Sequence, residues 1–360
     1  MSKQLVESLK EDHEYPEFNP SFVPVKVDDD TVHIRAGPWS GPIFTIRDVD
    51  EDESITHLVD VVDGQTHIED VFAEFEEDQR GEVAKILEGL YDQDILHDRE
   101  EHADDESWPH LSLKYTFHDQ NRDRLESKSL LVVDCSGMGR QVAGDLLEMG
   151  LGEVRFHEPF DTDIDTRRLE EYDGFSRTDA EIESVIEDVD FAVYTADDPH
   201  PSLLDAVNRA AYETDTPWIP AQIHGFDAMI GPAVYPDETA CYECFTERTL
   251  SNIQNIEGYQ AYRRGIDQNE SLSTMTLPSV ERMVAGYLAL DLTHLLAYGT
   301  GYTAGRVFTI NTLELEMESN DVLKMPRCDV CGKSRGTDYQ RYVTMDDVVE
   351  ASDRMKDGGA

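Results

Sequence analysis

The chain has 360 residues, 77 of them acidic against 30 Lys and Arg, for a formal net charge of −47. That length supports two domains with real cores, and the charge argues against nucleic-acid backbones and anionic membranes, which need clustered cations. The acidic residues recur along most of the chain, which reads as a haloarchaeal-type surface: molar salt shortens the Debye length to about 3 Å and screens the self-repulsion. The opening MSKQLVESLKEDHEYPEF has no apolar centre of the kind a secretory signal carries. The most apolar run, around Val284–Tyr298, contains Asp291 and His294. The expected location is cytoplasmic.

In chain order, residues 1–20 are polar and read as a flexible start. A compact α+β unit is expected over 21–98. FVPVKV and TVHIRAG alternate apolar and polar residues around Asp28–Asp30, as a β-hairpin does. PIFTIRDV supplies a third strand. Three helices follow, the first stopped by Asp63-Gly64 and the last placing Val83, Ile86, Leu87 and Leu90 on one face. Three strands and three helices in this order suggest a winged-helix-like module, and its excess of acid argues against reading DNA. Residues 99–128 read as an acidic linker.

A second, α/β domain is expected over 129–345, with a flexible tail at 346–360. SLLVVD, a glycine loop, a helix and EVRFHE alternate as in a parallel, Rossmann-like sheet. The loop carries Gly137, Gly139 and Arg140 at the opening of a helix, where backbone N–H groups can face phosphate. Glu158 closes the next strand, where an acid can take a ribose hydroxyl. Cys135, at the strand end, reads as a small buried apolar residue. Leu277–Gly299 reads as an apolar helix with Pro278 at its start and Gly299 at its end, packed on the sheet or on a partner.

Four of the five cysteines fall in two pairs, Cys241/Cys244 and Cys328/Cys331. A two-residue gap lets both thiolates of a pair face one metal, and two pairs complete tetrahedral sulfur coordination of zinc. The pairs lie far apart, so tertiary structure must close the site. With all positions filled by sulfur the Zn2+ would be structural, with no place for a reacting water.

The glycine loop, TADD at Thr195–Asp198, the helix LLDAVNRAA, GPAVYPDETACYECFTER and the late MPRCDVCG together resemble the ThiF/ubiquitin-activating superfamily. They are most similar to its branch of leader-peptide-binding partners of YcaO cyclodehydratases, found in azole-forming bacteriocin systems. The resemblance implies a ThiF-type domain behind a peptide-recognition module. The third strand (Ile43, Phe44, Thr45, Ile46) would pair with a leader peptide by β-augmentation, and Val83, Ile86, Leu87 and Leu90 would wall the groove. It implies presentation of a precursor peptide to a YcaO-type enzyme, with no catalytic residue here. The alternative is an adenylyltransferase that activates a C-terminal carboxylate with ATP and Mg2+, using Gly137, Gly139, Arg140, Glu158 and Asp197. Active members place Asn and Arg after the second strand acid. HEPFDTDIDTRRLEEYD offers Arg167 and Arg168 but no matching Asn-x-x-Arg, and Asp198, Pro199 and His200 follow Asp197. A homodimer is a candidate assembly.

Overall fold

The computed structural model describes residues 2–19, 22–35, 44–48, 53–93, 95–99, 119–160, 162–267 and 276–332. The chain divides into two compact units, Met1–Ser127 with Glu148–Gly152, and Lys128–Leu147 with Glu153–Ala360. The expected tail at 346–360 and most of the expected linker lie outside the described residues.

The first unit opens with α1 (Ser2–Asp12) and β1 (Pro16–Phe18). The expected hairpin is β2 (Val23–Asp28) and β3 (Thr31–Arg35), and β4 (Phe44–Arg47) joins the far side of β3. Helices α2 (Ser54–Val61), α3 (Ile68–Ala73) and α4 (Arg80–Tyr91) follow. The strand β5 (Leu96–Asp98) pairs antiparallel with β1, and α5 (Asp119–Glu126) ends the unit. The Asp63-Gly64 stop is real. The Asp63 carboxylate accepts the N–H groups of Gln65 and Thr66 at 2.8 Å each, and Gly64 takes φ 70.

Two expectations are corrected in this unit. The start is not frayed: α1 seats Val6 and Leu9 in the same core as Phe72 and Leu87. An amphipathic helix with a place to bury its apolar stripe gains more than the chain entropy it loses. Second, Val83, Leu87 and Leu90 are buried core residues packed with Ile34, Val71 and Phe72, so they do not wall an open groove; Ile86 is only partly buried against that core. Burial of each such side chain contributes roughly 1.5–3 kcal/mol. The one-face spacing marked the face that the fold needed for its own core.

In the second unit, β6 (Ser129–Asp134), α6 (Met138–Glu148), β7 (Glu153–His157) and β8 (Phe175–Thr178) lead to α7 (Ile182–Ile186) and β9 (Phe191–Ala196). Then come α8 (Pro201–Thr214), β10 (Trp218–His224) and β11 (Asp227–Ile230). Helices α9 (Tyr242–Asn252), α10 (Ile256–Asp267) and α11 (Pro278–Tyr298) precede the hairpin β12 (Arg306–Asn311) and β13 (Glu316–Asp321). Among the described residues they form one sheet in the order β13-β12-β11-β10-β9-β6-β7-β8. β10, β9, β6, β7 and β8 run parallel, and β11, β12 and β13 extend the sheet antiparallel. The parallel strands β6 and β9 are apolar almost throughout because both faces are covered. The strand order reverses between β6 and β9, the crevice where ligands of such sheets sit.

Pro278 and Gly299 bound α11 as expected, Gly299 at φ 74. The buried Asp291 of α11 holds the following turn by accepting the Tyr302 N–H at 2.5 Å and the Thr303 hydroxyl.

Candidate functional site

Three places in the fold hold the residues singled out above. At the first, Cys241 caps the N-terminus of α9, with Cys244 one turn on, while Cys328 and Cys331 follow β13. All four are buried, and their sulfurs lie within 4.8 Å of one another. Cys241 Sγ is 3.8 Å from Cys244 Sγ and 3.4 Å from Cys328 Sγ, and Cys244 Sγ is 3.3 Å from Cys331 Sγ. A disulfide needs about 2.05 Å. A tetrahedron of zinc thiolates at about 2.3 Å from the metal has edges of about 3.8 Å. The group therefore fits a metal such as zinc and fits disulfides poorly.

The supporting contacts explain the flanking residues. Met325 N–H donates to Cys244 Sγ at 3.3 Å. The Arg248 guanidinium donates to the Leu323 carbonyl at 2.7 Å and the Lys324 carbonyl at 3.3 Å, tying α9 to the segment after β13. Asn208 of α8 accepts the Tyr242 N–H at 3.0 Å and so fixes the start of α9. Gly332 closes the second turn: a Cβ there would overlap the Cys328 carbonyl oxygen. Asn208 lies in the LLDAVNRAA segment, but nothing local marked its role, which depends on two helices meeting.

At the second place, the glycine loop joins β6 to α6. Gly137 takes φ 97, and Gly139 packs so tightly that a Cβ would meet the Thr195 Oγ1 at 2.5 Å. The resemblance drawn from the sequence implies ATP with Mg2+ here, and the residues present do not fit it. The loop N–H groups of Ser136, Gly137 and Arg140 already donate to the buried Asp134 carboxylate. Glu158 is occupied as well: Oε1 accepts from Thr162 N–H, Thr162 Oγ1 and Ile164 N–H, and Oε2 accepts from Arg177 at 2.6 Å. Burial works against its ionisation, but these donors hold Glu158 below the usual carboxylate range. It pins the loop after β7. The Arg140 guanidinium donates to the Asp165 carbonyl at 3.3 Å. Asp197 is half-buried, and burial together with Asp198 and Glu281 pushes it up to about 7. Burial also pushes the Cys135 thiol well up, as a structural cysteine requires.

At the third place, β4 is an edge of the β2-β3-β4 sheet among the described residues. Phe44 and Ile46 are partly buried against the core of the first unit, while Thr45 and Arg47 are exposed. Ile43 lies outside the described residues.

Residues 158–331 match the model of the ThiF family, so the second unit carries a ThiF-family domain. No curated protein matches the sequence. Among solved structures, E. coli MccB with ATP is 17% identical at a TM-score of 0.60, covering 88% of this chain and 99% of that chain. The microcin C7 biosynthetic enzyme MccB in complex with N-formylated MccA is 16% identical at a TM-score of 0.60, with the same coverage, 88% and 99%. The heterocyclase TruD is 18% identical at a TM-score of 0.61, covering 89% of this chain but only 43% of that chain. At these identities the likeness is one of fold. Among the described residues, no helix is long and apolar enough to cross a membrane.

Proposed function

We propose that this protein is a peptide-binding adaptor that presents a precursor peptide to a YcaO-type cyclodehydratase for azoline formation. The observation that carries the reading is the edge strand Phe44–Arg47, with apolar side chains toward the unit's core and polar ones outward. An extended peptide added beside it gains main-chain hydrogen bonds with little demand on sequence. Its alternate side chains then lie beside Phe44 and Ile46 on one face and beside Thr45 and Arg47 on the other. Fold neighbours solved with N-formylated MccA, or as a heterocyclase in complex with substrate and cofactor, support a role around modified peptides. The four-cysteine group is proposed to hold a structural zinc ion, with no part in the chemistry.

The adenylating alternative needs phosphates at the glycine loop, and the occupied loop amides weigh against it. Thr45→Pro tests the main reading. Proline removes a ladder donor from an exposed edge position. A labelled precursor leader, titrated by fluorescence anisotropy, should bind the parent and lose most of its affinity for the variant, while circular dichroism stays unchanged. Equal affinity in a folded variant would move the peptide site off β4.

A further inference from the structure

We infer that Asp134 is a resident acceptor: its carboxyl group stands where a nucleotide phosphate would, and the glycine loop is a strand–helix joint closed to such ligands. The inference is independent of where a peptide binds.

A helix N-terminus offers phosphate its unpaired N–H groups, and a glycine loop lets the backbone approach. Here those donors are spent inside the chain. Asp134 Oδ1 accepts the Ser136 N–H at 3.1 Å, the Gly137 N–H at 2.9 Å and the Thr195 hydroxyl at 3.0 Å. Its Oδ2 accepts the Arg140 N–H at 2.9 Å, and the Gly139 amide also favours the charged carboxylate. The one remaining amide of the run, Met138, donates to Ser136 Oγ at 3.4 Å. Four of the five N–H groups from Ser136 to Arg140 therefore donate hydrogen bonds within the protein.

The carboxylate has no exposure to solvent. Burial pushes it up, and the backbone donors pull against that shift without cancelling it. Gly139 finds its reason in the joint itself: a Cβ would strike Thr195 Oγ1, Val132 Cγ1 and Asp134 Cβ, all within 2.9 Å. The glycine is required by close helix–strand packing, whether or not a phosphate ever approaches. Thr195, from the neighbouring strand β9, locks the carboxylate from the other side. Displacing it would leave a buried carboxyl group without its donors, which is costlier than any single hydrogen bond regained.

The test uses the full chain, with ATP·Mg2+ and inorganic phosphate as probes in equilibrium dialysis, and amide hydrogen exchange read by mass spectrometry. The parent should show no saturable uptake of either probe up to about 5 mM, an affinity floor near 3 kcal/mol of binding, and slow exchange across Ser136–Arg140. Asp134→Gly frees the donors and should take up phosphate saturably. If that variant does not fold, Asp134→Asn decides. It removes the Oδ2 acceptor, and the Arg140 amide should exchange at least about twofold faster, as loss of its hydrogen bond implies. Saturable ATP uptake by the parent with slowed exchange in the loop would overturn the assignment. So would a folded Asp134→Gly that takes up no more phosphate than the parent, or an unchanged Arg140 amide in Asp134→Asn.

Discussion

At the scale of single residues, the carboxylates around the β6–β9 crevice have divided fates. Glu158 and Asp134 are consumed by backbone donors, and Asp197 is left half-buried among other acids, with its carboxyl raised to about 7. A raised carboxyl means that the folded chain holds a proton that the unfolded chain has released. Stability should therefore fall as pH rises from about 4 through about 7, and level off above. Asp197→Asn removes that dependence. Thermal melts of parent and variant should converge near pH 4 and separate by pH 8, with the variant higher by roughly 2–4 °C. A parallel pH dependence in both would show that Asp197 is not the source. None of this was legible in the sequence, where Asp197 and Glu158 looked like equivalent strand-end acids. The difference lies in the surroundings: Glu158 accepts from Thr162, Ile164 and Arg177, whereas burial beside Asp198 and Glu281 dominates at Asp197.

At the scale of elements, local signals performed well where a local cause was sufficient. Pro278 fits the first turn of α11 because it needs no amide there, and Gly299 fits its end because φ 74 suits a residue without Cβ. Gly286 makes the contrast within the same helix: it is exposed, helical and surrounded by open space. Gly299→Ala should destabilise by about 1 kcal/mol, and Gly286→Ala should stabilise by roughly 0.5–1 kcal/mol. Urea denaturation of the pair checks this, and equal shifts would contradict the cap. The face of α4 taught the opposite lesson. Periodicity at Val83, Leu87 and Leu90 identified an apolar stripe correctly, but a stripe does not say whether it meets the protein's own core or a ligand. Phe72 and Ile34 fill that role from inside the unit.

At the scale of the whole molecule, the cysteine group is the longest-range feature. Cys241 with Cys328, and Cys244 with Cys331, meet although 87 positions separate each pair. A metal there joins the start of α9 to the segment beyond the sheet's last strand, and closing so long a loop in the unfolded chain costs entropy that the bound ion offsets. Metal analysis should find about one zinc per chain. Cys244→Ser should lose it and destabilise the second unit by more than about 4 kcal/mol, while amide exchange in the first unit is unchanged. Full stability of a metal-free Cys244→Ser variant would remove the structural role.

The acidic composition, the hairpin, the limits of α11, the parallel strands and the pairing of the four cysteines at short spacing were all determined by the sequence itself. Each rests on residue type at short spacing: charge, alternation, Pro and Gly at helix ends, paired cysteines. Tertiary structure alone decided that α1 packs and does not fray, that α4 faces inward, that the two cysteine pairs converge, and that Asp134 turns back onto the glycine loop. These depend on which surfaces meet across the chain. Burial and donor geometry then set whether the same residue type binds a ligand, fills a core or holds a loop.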